Sequence, residues 1–195
     1  DQIQITFDYF DSETTDMLVG IPIPATAGYN LVNETNGGAM TNKGWEASVL
    51  YKKVQGDFKF DVMANITHNK NEVTQLGFAD EAFTNGQVIF DTHPTTRTEV
   101  GRSIGEFYMY KTNGLFQSQG EVDDHGIQPN AQPGDLRFVD VNGDGELNDD
   151  DKTYVGSGLP DFEYGITFNA SYKKFDFSMF FQGSQGNQIY NGTKL

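Results

Sequence analysis

The sequence predicts an all-β chain built of long antiparallel hairpins. Three features carry this: strict two-residue alternation of apolar and polar side chains, an aromatic set of 16 Phe and 9 Tyr, and 22 Gly gathered with other turn formers between the alternating runs. The first strand interleaves Ile3, Ile5, Phe7 and Tyr9 with Gln2, Gln4, Thr6 and Asp8. A second sets Trp45, Ala47, Val49 and Tyr51 against Glu46, Ser48 and Lys52. A third sets Phe58, Phe60, Val62, Ala64 and Ile66 against Lys59, Asp61, Asn65 and Thr67, and the KKVQGD stretch between these two is a tight polar turn. Later, Phe162, Tyr164, Ile166, Phe168, Ala170 and Tyr172 alternate with Glu163, Gly165, Thr167, Asn169 and Ser171. After Lys173 and Lys174 come Phe175, Phe177, Met179 and Phe181, which makes a second hairpin of the same design.

Two folds fit such strands. The apolar face points either into the core of a soluble sandwich or outward into lipid, as part of a transmembrane antiparallel β-barrel with a polar lumen. Three features favour lipid. The runs reach about ten residues, the length a tilted membrane strand needs, where soluble strands average about five or six. Aromatics flank the short turns (Tyr51 and Phe58, Tyr172 and Phe175), as an interfacial girdle requires. The short turns also contrast with long connections from Asp11 to Met40, Asn69 to Gly105 and Asn113 to Pro160. That asymmetry is the one expected of short periplasmic turns and long extracellular loops. The register follows, because slipping the third strand by one residue would set Lys59 against lipid at a cost of about 2–4 kcal/mol. The lipid face is then Phe58, Phe60, Val62, Ala64 and Ile66. Polar Gln4, Asp8, Glu46, Asn65, Glu163 and Asn169 are then candidates for the lumen face.

The stretch Asp140 to Asp151, DVNGDGELNDDD, has the spacing of a calcium loop. Asp140, Asn142 and Asp144 (positions 1, 3 and 5) would each supply one oxygen. Gly145 would make the sharp turn, Glu146 would offer its backbone carbonyl, Asn148 a direct or water-mediated contact, and Asp151 the closing carboxylate. Six acids and no base lie in these twelve residues, so a hard divalent ion is the natural counter-charge. Asp rather than Glu at position 12 shortens the closing arm, which sets the expected affinity at about 10⁻⁴ to 10⁻³ M. The alternation from Gly134 to Val139 leads into this loop from a strand, so it is not a helix-flanked EF-hand.

A formal net charge of −15 argues against nucleic acid and against an anionic-lipid patch built on a basic run. No 18-residue apolar run exists, so no transmembrane helix is expected. The lack of cysteine removes disulfides and thiolate chemistry. No leader precedes Asp1, as expected of a cytosolic protein, a processed one or a piece of a longer chain. His68, His93 and His125 are scattered and read as surface residues, and no hydrolase, phosphate-loop or zinc-protease motif occurs, so no enzyme is expected. Phe107, Tyr108 and Tyr110, among Gly101, Gly105 and Gly114, read as a strand packed on a barrel wall, or alternatively as a stacking surface for a sugar. The alternative to the barrel as a whole is a secreted calcium-stabilised β-sandwich, an adhesion or carbohydrate-binding module.

The segments NKGWEASVLYKK and GRSIGEFYMYKTNGLFQ, and above all the run from Pro133 to Asn191 with its calcium-type loop, PDF turn and FFQG strand end, resemble the C-terminal barrel region of the SusC/RagA family of TonB-linked outer-membrane proteins. The resemblance implies a parent barrel of about 22 strands plugged by an N-terminal domain. It further implies energy-coupled import of oligosaccharides or peptides beneath a SusD-like lipoprotein lid, contact with TonB through a part outside this sequence, and residence in the outer membrane with the loops extracellular. Residues 1–195 would be one portion of that barrel. The plug, the TonB box and the closing aromatic strand would lie elsewhere, since Lys194 and Leu195 do not form such an end.

Overall fold

The computed structural model describes residues 2–22, 32–77, 83–84 and 95–191. In chain order the elements are β1 (Ile3–Pro22), β2 (Val32–Lys53), β3 (Phe58–Leu76), β4 (Phe83–Thr84), β5 (Thr96–Thr98), β6 (Glu106–Tyr110), β7 (Thr112–Leu115), α1 (Gln119–His125), β8 (Leu136–Phe138), a 3-10 turn at Asp149–Asp151, β9 (Lys152–Gly156), β10 (Phe162–Tyr172) and β11 (Phe175–Gln185). They fall into two compact units, one of residues 1–83, 98–104 and 157–195, the other of 84–97 and 105–156.

The first unit holds one antiparallel sheet in the order β1-β2-β3-β10-β11. Residues directly opposite in adjacent antiparallel strands project from the same side, so the register assigns the faces. One rung runs Ile3, Tyr51, Val62, Phe168, Met179. The next runs Ile5, Val49, Ala64, Ile166, Phe181, then Phe7, Ala47, Ile66, Tyr164, Gly183, and then Tyr9, Trp45, His68, Phe162. Between them lie rungs of the opposite face, such as Thr6, Ser48, Asn65, Gly165, Gln182 and Asp8, Glu46, Thr67, Glu163, Ser184. The alternation seen in single strands thus adds up to one continuous apolar face and one polar face, with Lys59 and Asp61 on the polar side as expected.

The apolar face is uncovered: Ile5 is 74% exposed, Phe7 64%, Phe175 78% and Phe181 56%. A sandwich would bury those rings against a second sheet. Among the described residues of this unit the buried hydrophobics are only Ala39, Val73 and Leu76, and a soluble sheet of this area needs far more. The sandwich alternative is therefore overturned. Membrane dimensions fit instead. The stripe from Phe162 to Tyr172 covers ten steps, about 33 Å along the strand. At a tilt of about 40° it spans about 25 Å, the height of an outer-membrane apolar band. No helix among the described residues is long and apolar enough to cross a membrane.

The first three strands outrun expectation, at 20, 22 and 19 residues. Residues 11–22 and 32–40, expected within a loop, continue β1 and β2, and β3 runs through Asn69 to Leu76. The ladder bonds pass from strand to strand whatever solvent the faces meet, so polar Glu13, Thr14, Thr41 and Asn42 extend it once pairing has begun. The register shifts between Thr14 and Met17, where Asp16 takes φ 56°. Beyond His68, segment 98–104 joins β3. The Val73 amide donates to the Arg102 carbonyl (2.8 Å), the Gly101 amide to the Val73 carbonyl (2.8 Å) and the Ser103 hydroxyl to the Asn71 carbonyl (2.9 Å). Buried Asn71 accepts from the Ile104 amide and donates to Asn42 Oδ1, both at 2.9 Å.

The second unit contributes β6 and β9 to a sheet ordered β4-β5-β6-β9, with β7 and β8 paired separately. Phe116 and Val122 are buried there, and His125 meets the Phe116 ring edge-on at 5.2 Å. Helix α1 was not expected within the connection from Asn113 to Pro160. Ser118 caps it by accepting from the Glu121 amide (3.3 Å), the Glu121 carboxylate takes the Gln117 amide (2.9 Å), and Gly126 ends it at φ 68°. Phe107, Tyr108 and Tyr110 sit on β6, a five-residue strand paired with β9.

Candidate functional site

The acidic loop is built from the peptide amides upward. Strand β8 delivers the chain at Phe138, and the 3-10 turn hands it to β9, so the loop lies between strands as its sequence implies. Asp140 folds back over the loop: its Oδ1 accepts the Gly143 amide (2.6 Å) and its Oδ2 the Gly145 amide (2.8 Å). A chain of such turns follows. Asn142 Oδ1 accepts from Asp144 N (2.9 Å), Asp144 Oδ1 from Glu146 N (2.8 Å) and Asn148 Oδ1 from Asp150 N (2.8 Å). Short oxygen-bearing side chains suit this role because they reach the amide two residues on. Gly145 has φ +82°, a left-handed conformation that β-carbon-bearing residues rarely adopt.

Asp151 closes the loop. Its Oδ1 accepts the Val141 amide (2.8 Å) and its Oδ2 the Asn148 amide (2.9 Å), and its side chain has no solvent exposure. The Asn148 bond is the main reason that its carboxyl stays below the usual carboxylate range. Burial pushes the other way, and bonds from the Val141 and Asn142 amides and from Asp140 add to the lowering. Several bonds to the charged form together outweigh desolvation, so the net direction is down. Beside it, Asp149 binds Lys152 Nζ (2.8 Å) and accepts the Tyr110 hydroxyl (3.1 Å).

Of the six expected ligands, Asp140 and Asp151 come together at the loop centre, and Asn142 Nδ2 meets Asp144 Oδ2 at 2.8 Å. The Glu146 side chain is exposed. Among the described residues no three His, Cys, Asp or Glu side chains group as a metal centre. The donor chemistry still suits a hard cation. Each carboxylate oxygen of Asp140 accepts one main-chain amide, and a carboxylate oxygen has two acceptor positions.

The polar face of the five-stranded sheet is the other candidate surface. A depression of about 600 Å³ is lined by Asn65, Thr67, Glu163, Phe180, Gln182 and Ser184. Asp61, Asn169 and Ser178 form a bonded row nearer the short turns, with Asn169 Nδ2 donating to Asp61 Oδ2 (2.9 Å) and the Ser178 hydroxyl to Asn169 Oδ1 (2.7 Å). Sequence reasoning placed Asn65, Glu163 and Asn169 on this face but missed Phe180, a 61% exposed ring among amides and hydroxyls. The signal was its phase, out of step with Phe175, Phe177, Met179 and Phe181. His68 is likewise more than a scattered surface residue. It packs at a tilt against Trp45 and Phe162 in the aromatic rung, with Nδ1 2.6 Å from the Asp161 carbonyl. His93 lies outside the described residues.

Comparison with protein-family profiles finds no match. Comparison with characterised proteins does. A TonB-dependent receptor of Formosa agariphila is 35% identical over 192 residues, covering 94% of this chain and 18% of that protein. A second from the same organism is 31% identical over 197 residues, covering 100% and 20%. The TonB-dependent receptor SusC of Bacteroides thetaiotaomicron is 30% identical over 189 residues, covering 94% and 18%. The chain thus spans about one fifth of the length of these relatives. Among solved structures, the RagAB peptide importer superposes with a TM-score of 0.73 in its open-open state (95% of this chain, 19% of that one) and 0.70 in its closed-closed state (96% and 20%). At 22% identity that likeness speaks for the fold, an antiparallel barrel wall.

Proposed function

We propose, for a chain that carries across nearly its full length a segment of the kind found in SusC-type TonB-dependent receptors, that it forms part of the wall of an outer-membrane importer. Its apolar face meets lipid, its polar face lines the lumen against plug and substrate, and the acidic loop stands outside the cell. The observation that carries this is the register that gathers the alternating residues of five strands onto one exposed apolar face about 25 Å tall. The complete protein would work with TonB and with a SusD-like surface lipoprotein as lid. Its cargo would be an oligosaccharide or a peptide, the latter being what the RagAB importer carries by name.

Residues 1–195 hold no cysteine, so once any cysteines elsewhere in the complete protein are replaced, single cysteines here give a clean test. Single cysteines replacing Ile166, Thr167 and Asn142 in the complete protein would be probed in intact cells with a membrane-impermeant maleimide. Labelling at Asn142→Cys, protection at Ile166→Cys against all but lipid-soluble reagents, and water access at Thr167→Cys from within the barrel are expected. Equal aqueous labelling of Ile166→Cys and Thr167→Cys would overturn the proposal.

The same chain supports a second element of the function, calcium at Asp140, Asn142, Asp144, Glu146, Asn148 and Asp151. Spacing and spare acceptor positions favour it, and the ion would stabilise the loop by RT ln(1 + [L]/Kd), roughly 1–2 kcal/mol at millimolar calcium. That is enough to hold a lid-docking surface in one shape. Terbium luminescence titrated against calcium measures it directly. An unchanged signal in Asp144→Ala would remove the loop as the site.

A further inference from the structure

We propose that Lys43 and Lys70, side by side on the lipid side of the sheet, bind the phosphates of outer-leaflet lipid headgroups. This rests on the membrane orientation proposed above. The Tyr9, Trp45, His68, Phe162 rung is the last aromatic one on that face, and the next residues along the same side are Asp11, Lys43 and Lys70, paired in register across β1, β2 and β3. The midplane of the apolar stripe falls level with residue 167, and the lysine rung lies seven residue steps beyond it. That is about 23 Å along the strand and about 18 Å from the midplane at a tilt of about 40°. The apolar half-thickness is about 12.5 Å, so the lysines stand about 5 Å outside the band, at headgroup depth.

The local chemistry points the same way. Like charges directly opposite across two strands repel one another, yet Lys43 faces Lys70. Asp11 takes one ammonium at 3.0 Å and Glu72 the other at 2.8 Å, so the carboxylates stand beside the pair. Both lysine side chains stay more than half exposed, 52% and 70%. An ammonium has three hydrogens to donate, and each of these ion pairs occupies one. A phosphate lying across the two heads would take the remaining donors. Long lysine stems lie along apolar surface while the charge reaches the interface, which is the geometry of this rung. An anionic leaflet would otherwise repel a chain of net charge −15, so cations are needed where that chain meets it.

The test uses the complete protein purified from outer membranes in detergent. Native mass spectrometry would follow its titration with lipid A, with dephosphorylated lipid A and with inorganic phosphate. Wild type should hold lipid A, the Lys43→Gln/Lys70→Gln double variant should bind it about thirtyfold more weakly, and dephosphorylated lipid A should bind weakly to both. The polar-face variant Lys59→Gln should match wild type. Equal lipid A binding by wild type and double variant, or equally tight dephosphorylated lipid, would overturn the site. So would lysine-dependent capture of inorganic phosphate alone, which would make it an anion site without lipid. Heat-modifiable mobility of both proteins separates the two ideas. A wild type absent from the outer membrane would overturn the barrel and this site together, whereas an inserted protein indifferent to the lysines would overturn this site only.

Discussion

Ile166→Arg compared with Thr167→Arg tests the two faces at neighbouring positions. Ile166 stands opposite Ala64 and Phe181 on the apolar side, and Thr167 stands opposite Met63 and Phe180 on the other. Ile166 is one residue from the centre of the Phe162 to Tyr172 stripe, about 2.5 Å from the midplane at a tilt of about 40°. A lipid-facing Arg at that depth costs about 2–4 kcal/mol, which shifts the folded-to-unfolded ratio by about 30- to 700-fold. Thr167→Arg exchanges one polar group for another in a watery lumen, with an expected change within about 0.5 kcal/mol. Folding of the complete protein into liposomes, read by heat-modifiable mobility across a urea series, gives both values. If Thr167→Arg proved as damaging as Ile166→Arg or worse, the face assignment and the barrel built on it would be wrong.

Four further outcomes are expected. Gly145→Ala, which forces a β-carbon into a φ of +82°, should destabilise the acidic loop by about 1–2 kcal/mol and speed its cleavage in limited proteolysis. Asp151 has a lowered carboxyl pKa, so its stabilisation is complete above the ordinary carboxylate pKa of about 3.9 and is lost as pH falls through the lower folded value. The Val141 and Asn148 amides should therefore keep their hydrogen-exchange protection from neutral pH to about pH 5 and lose it only in stronger acid. Asn71→Ala removes the acceptor of the Ile104 amide and the donor to Asn42, which should cost about 2–3 kcal/mol and expose segment 98–104 to protease. Chelating calcium should loosen the loop of wild type but leave Asp144→Ala unchanged, measured by the same proteolysis.

How much of this was legible in the sequence depended on whether a signal was local. The alternation of β10 and β11 read directly, because each residue's face is set by its own parity; the Lys173 to Lys174 turn fell where expected, and the KKVQGD turn narrows to Val54 to Asp57 because Lys52 and Lys53 stay paired in β2. Strand length did not read, since Glu13, Thr41 and Asn42 join the ladder for their neighbours' sake and have little strand preference of their own. The short helix was overlooked although Ser118 and Glu121 stand at capping spacing before Gly126. In the acidic loop the residue types and spacing were visible, whereas the engagement of Asp140 and Asp151 by backbone amides was not, because it depends on two left-handed glycines and a 3-10 turn acting together.

The two outer strands carry the last step. In the five-stranded sheet β1 has β2 on one side and β11 has β10, and neither has a second partner among the described residues. In water such edges are tolerable. In hydrocarbon each unsatisfied peptide group costs several kcal/mol, and a strand of about ten residues leaves several of them on its open side. The exposed apolar face asks for lipid, and the open edges forbid lipid unless further strands flank both β1 and β11. The two demands are met together only by a wall that continues on either side of this sheet until it closes on itself. The register alone therefore supports a larger barrel, by a route separate from the likeness to receptors about five times as long.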